Sequence, residues 1–121
     1  MADLDDLKKN LAWSNRQLFT RLEGQPKMVE KSGEAEFAYR TALASAMLKL
    51  KAEGMGVTLI PDLAKGDKHV ADLRLKYHIA SGLADSNREA IRACQSSISS
   101  IQGLVAVERA KIDAGLYSEG S

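Results

Sequence analysis

From Val70 onward the chain places residues at strictly alternating intervals of three and four: Leu73, Tyr77, Ala80, Ala84, Asn87, Ile91, Cys94, Ile98, Ile101, Val105, Glu108 and Ile112. Only Asn87 and Glu108 in that series are strongly polar. Such spacing, sustained over about six heptads, predicts a long helix with a coiled-coil-like seam. At 1.5 Å per residue it runs roughly 64 Å. A helix of this kind cannot leave its seam in water, so it needs a partner along its whole length. Gly82 and Gly103 each cost about 1 kcal/mol relative to Ala and mark places for close approach or a bend. Ser96, Ser97, Ser99 and Ser100 fall mostly off the seam, on an expected solvated face.

A first partner lies upstream. Glu34 to Glu53 lacks Gly and Pro and is rich in Ala, Leu, Lys and Met, all good helix formers. Ala35, Tyr39, Ala42, Ala46 and Leu50 form its stripe, with Leu43 and Met47 widening it, and the small alanines admit a close neighbour. Gly54 sits where a C-terminal cap belongs, with Lys49 and Lys51 in the last turn. The apolar connection that follows contains Val57, Leu59, Ile60 and Leu63, expected to plug one end of a helical core. In it Thr58 is a candidate cap for a short helix, Pro61 suits its first turn, Gly66 ends it, and Asp67 caps the next.

Asp3 to Glu23 forms another helix, with Leu4, Leu7, Leu11, Leu18 and Leu22 near helical spacing and Ser14 in the gap. Asp3 can cap it, and Asp5 and Asp6 suit the positive end of its dipole. Gly24 to Gly33, with Pro26 and Ser32, reads as a connection. The expected fold is therefore all-α: an antiparallel helical hairpin with a long coiled-coil-like C-terminal helix and an N-terminal helical arm. Its parts are an arm and linker at 1–33, a hairpin core at 34–114 and a flexible tail at 115–121. The C-terminal helix is about twice as long as the second, so its far half packs on the first helix or on a second subunit. The expectation is a homo-oligomer built on Asn87, Ile91, Ile98, Ile101 and Val105. A buried Asn87 would set register at some cost in stability; an exposed one would be plain surface.

The chain has 121 residues, one domain's worth, and a net charge of +1 that offers no general attraction to nucleic acid or anionic membrane. The start Met1-Ala2-Asp3-Leu4-Asp5-Asp6 is too acidic for a signal peptide, and no apolar run reaches the ~20 residues of a membrane span. A cytoplasmic protein is expected. One cysteine excludes an internal disulfide. Cys94 is expected as a small apolar seam residue; on a dimer axis it could form an adventitious intersubunit disulfide. His69 and His78, nine residues apart, face roughly opposite ways on one helix and cannot share a metal there. Asp67 and Asp72 near His69 are better explained as cap and surface. Gly54-Met55-Gly56 lacks the pattern of a phosphate loop, and Lys65-Gly66-Asp67 is a turn. No catalytic residue, cofactor or metal site is expected, and the chain reads as non-enzymatic.

Two kinds of partner fit. Trp13 and Phe19 lie off the leucine stripe, either packed on the same chain or forming a contact surface; with Met55 they are the candidates for binding another protein. Alternatively, residues 56–76 follow the order of a helix-turn-helix, with Lys65, Lys68, Arg74 and Lys76 as candidate DNA contacts. Asp62, Asp67 and Asp72 among them oppose that reading. A purely structural assembly helix is a third reading.

Leu50-Lys51-Ala52-Glu53-Gly54-Met55-Gly56-Val57-Thr58-Leu59-Ile60, then Asp62-Leu63-Ala64-Lys65-Gly66-Asp67 and Val70-Ala71-Asp72-Leu73-Arg74, resembles small helical proteins of tailed phages and prophages of Gram-positive bacteria. The resemblance covers about residues 36–110 and is a structural signature; the N-terminal 35 residues depart from it. It implies a phage early-region protein placed among recombination, replication or anti-defence genes, one that modulates phage DNA metabolism or a host factor. It puts that expected cytoplasm in the host cell, carries over no catalytic residue and names no partner.

Overall fold

The structure, a computed structural model, describes residues 3–115. The tail expected at 115–121 lies, apart from Gly115, outside them. The described residues form three helices and no strand: α1 (Leu4–Ala52), α2 (Ile60–Gly66) and α3 (Lys68–Asp113). α1 packs against α3 as a helical hairpin.

The expected connection at Gly24 to Gly33 is not there. α1 is one helix of 49 residues, with Pro26 inside it. Proline removes the N–H that the Leu22 carbonyl would accept, and interior proline costs about 3 kcal/mol. The helix continues because its inward face does: Leu4, Leu7, Leu11, Ser14 and Leu18 are succeeded, at the same alternation, by Gln25, Met28, Ser32, Ala35, Tyr39, Ala42 and Ala46, all buried or half-buried. Breaking the helix at 24–33 would move one half of that face off α3.

Its ends follow the expected chemistry. The Asp3 carboxylate accepts from the Asp6 amide at 2.8 Å. At the other end Gly54 has φ 81°. The Gly54 amide donates to the Lys51 carbonyl, and the Met55 amide to the Leu50 carbonyl, both at 3.1 Å. This is a Schellman cap, with glycine in the left-handed position. Thr58 does not cap α2: the cap position is Leu59, which makes no side-chain bond there. Pro61 does sit in the first turn of α2. Asp67 ends α2 and caps α3, accepting from the Val70 amide at 3.1 Å.

The chain divides into two compact units. Unit 1 pairs the start of α1, to Gly24, with α3 from Asn87 onward; its core is Leu7, Ile91 and Ile98, with Ser14 and Asn87 buried among them. Unit 2, Gln25–Ser86, holds the rest of the hairpin and α2, with Ile60, Ala64, Val70 and Ala84 at its core. The α3 spacing is realised as expected, with one exception. Ile112 is 48% exposed. Gly82 and Gly103 do not serve close approach: a Cβ at either would meet nothing within 4 Å.

Candidate interaction surface

In unit 1 the seam expected to join subunits is already filled by the chain's own α1. Asn87, Ile91 and Ile98 are buried, and Ile101, Val105 and Cys94 half-buried. Asn87 takes the buried alternative. Its Nδ2 donates to the Arg21 carbonyl at 3.0 Å, and its Oδ1 accepts from the Arg21 guanidinium at 3.3 Å. A second subunit is not needed to cover this face.

Trp13 and Phe19, also in unit 1, are outside the core at 58% and 64% exposure. They pack on nothing that hides them, which favours the contact-surface alternative. Six residues apart, they are separated by about 120° around α1 and do not form one patch. Met55, in unit 2, is half-buried. It follows the Schellman glycine, the position whose apolar side chain customarily packs back on its helix. A capping role is thus the alternative to a partner contact for Met55.

The basic residues at 65–76 do not converge. All four are exposed. Arg74 and Lys76 lie two residues apart, so they are about 200° apart around α3. α2 and α3 are separated by the single residue Asp67, shorter than the three- or four-residue turn of a helix-turn-helix. Among the described residues no group of three or more His, Cys, Asp or Glu is placed to hold a metal ion. Both histidines are exposed. No helix among those residues is long and apolar enough to cross a membrane.

Unit 2 carries surfaces that composition alone did not single out. A groove of about 740 Å³ runs between α1 and the start of α3, lined on α1 by Phe37, Ala38, Thr41, Ala42, Ser45, Ala46 and Lys49 and on α3 by His69, Val70 and Leu73. Phe37 at its edge is 74% exposed. Leu75, Ile79 and Leu83 stand exposed further along α3. Elsewhere in the unit, the Tyr39 and Tyr77 rings stack at 6.1 Å, and Tyr77 stacks on His78 at 5.3 Å. A hydrogen bond to Glu36, reinforced by the Glu36 charge, raises the Tyr77 hydroxyl above its ordinary value of 10.0. Arg40, 3.7 Å from Glu36, pulls the other way.

Comparison with protein-family models, with curated proteins and with solved structures finds no match to this chain.

Proposed function

We propose that this chain is a helical protein-binding and self-association module that works without chemistry of its own. One observation carries the reading. The inward faces of α1 and α3 satisfy each other, yet Trp13, Phe19, Phe37, Leu48, Leu75, Ile79 and Leu83 all stay exposed. Two long helices and one short one form too thin a layer to enclose those side chains. Apolar surface left over by an internally satisfied hairpin is the physical mark of a contact surface.

Light scattering across a dilution series tests the proposal. A mass that rises from one chain to a small fixed multiple supports it. One chain's mass at every concentration removes the self-association half, and open-ended growth would favour the scaffold reading. DNA binding has the weaker support, because Arg74 and Lys76 point apart. If it were the function, titration with duplex DNA would show micromolar binding that falls steeply with salt. The phage context rests on the 50–74 block alone and belongs to the proposal in the same way: a module of this kind would act on phage DNA metabolism, or on a host factor, by binding a protein.

A further inference from the structure

We infer that a pocket in unit 2, between the last turns of α1 and the start of α2, binds a single-chain aliphatic carboxylate, with the tail on its apolar walls and the carboxylate on the Lys51 ammonium. A small-molecule site goes beyond the protein-binding reading and stands independently of it.

The local backbone makes the pocket. After the Schellman cap at Gly54, the Leu59 amide donates to the Gly56 carbonyl at 3.0 Å, a tight turn with Val57 and Thr58 at its centre. The turn leads into α2, where Ile60 is buried and Pro61 half-buried. Between these elements lies a pocket of about 330 Å³, lined by Met47, Leu48 and Lys51 of α1, by Val57, and by Ile60 and Pro61 of α2. Leu48 is 68% and Val57 80% exposed. Water therefore meets apolar walls there, and an apolar ligand would release it.

Shape and charge choose the occupant. The α1 wall runs only from Met47 to Lys51, about 6 Å of helix axis. A docked partner helix uses anchors at i, i+3, i+4 and i+7, spread over roughly 10 Å. The pocket is too short for that. A methylene packed at interior density takes roughly 27 Å³, so the pocket holds about twelve carbons of one chain. Among the described residues, Lys51 is the one charged side chain that lines it. The residues one turn to either side of Lys51, which are Met47, Leu48, Gly54 and Met55, are not acidic. Among the described residues no ion pair reaches its ammonium. Glu53 and Asp62, the nearest acids in sequence, do not line the pocket. Apolar walls with one uncompensated cation complement an anion carried on an aliphatic chain.

The test is equilibrium dialysis of the full chain against labelled dodecanoate. Binding should saturate at one molecule per chain, with a dissociation constant at or below about 1 mM. From octanoate to dodecanoate, each added methylene should tighten it about two- to fourfold. Leu48→Asn and Val57→Asn should each weaken it about fivefold or more. Both positions are exposed, so helicity should hold. Lys51→Gln should weaken dodecanoate about threefold and tighten dodecyltrimethylammonium, which carries the opposite charge on the same chain. A merely structural role for Lys51 would move both ligands alike and would overturn the carboxylate assignment. No saturable binding below about 1 mM, or several molecules per chain, overturns the site. So does binding indifferent to Leu48 and Val57. Octanoate bound as tightly as dodecanoate would mean a notch for one side chain and overturns the aliphatic ligand. Flotation with phosphatidylcholine–phosphatidylglycerol vesicles, without dodecanoate binding, would assign these walls to a membrane surface and overturns it as well.

Discussion

Asn87 and Arg21 grip each other across unit 1: the Asn87 amide donates to the Arg21 carbonyl at 3.0 Å while its oxygen accepts from the Arg21 guanidinium. The amide is 5% exposed, in line with Ile91 and Ile98 on the inward face of α3. A buried polar residue at such a position fixes register, because any slip along the seam strands it. Asn87→Ala should cost about 1–3 kcal/mol, from the lost bonds and the space left behind. Asn87→Leu should cost less, since Arg21 is exposed and can turn to water. Urea unfolding of both variants reads the difference. Equal stability of wild type and Asn87→Ala would contradict the pairing.

Glycines of opposite sign test the continuity of α1. Gly33 lies inside the helix with open space where a Cβ would go. Gly33→Ala should therefore stabilise by about 0.5–1 kcal/mol. Gly54, at φ 81° in the Schellman cap, should respond the other way: Gly54→Ala should destabilise by about 1 kcal/mol. A flexible connection at 24–33 would make the first substitution neutral, which thermal melts would show.

Pro26 gives a stronger version of the same test. Pro26→Ala restores the amide that the Leu22 carbonyl lacks and should raise stability by up to about 3 kcal/mol. A loss of stability would mean that the backbone at 26 needs the proline and is not helical. Calorimetry decides between the two.

Tyr77 should lose its proton at a higher pH than an ordinary tyrosine. Its hydrogen bond to Glu36 and the Glu36 charge favour the protonated phenol, so its value is raised in the folded chain. The stabilisation is complete below the ordinary tyrosine value of 10.0 and is lost as pH climbs through the raised folded value. Ultraviolet titration of the three tyrosines should show a late component that Tyr77→Phe removes. Glu36→Gln should move that component back toward the ordinary value. Identical curves for wild type and both variants would contradict the Tyr77–Glu36 contact.

The α3 seam was legible from Val70 to Glu108 because nearly every position on it is apolar or small, and the count of three and four needs nothing else. So were the Asp3, Gly54 and Asp67 caps, since each is a local event. The α1 seam was harder. Its alternation continues through Arg21, Gln25 and Ser32, but those residues are polar, and Gly24, Pro26 and Gly33 are the usual marks of a connection. Tertiary packing on α3 overrides those local preferences. Tracking the three-and-four interval regardless of polarity would have found the continuous helix, and with it the cover for Ile91 and Ile98 that was otherwise assigned to a second subunit. Phe37 was not distinguished from the core stripe beside it, because which side of α1 faces α3 depends on a pairing that spans the whole hairpin. The contact of Tyr77 with Glu36 is likewise a product of that pairing and has no signature in spacing.

The most direct measurement of the central claim is the mass of the full chain in solution, read by light scattering from about 1 to 100 μM under reducing conditions. The exposed apolar side chains left by the hairpin, Phe37 at 74% exposure among them, predict a mass that rises from one chain to a small fixed multiple, and a smaller rise for Phe37→Asp. One chain's mass at every concentration would contradict the account.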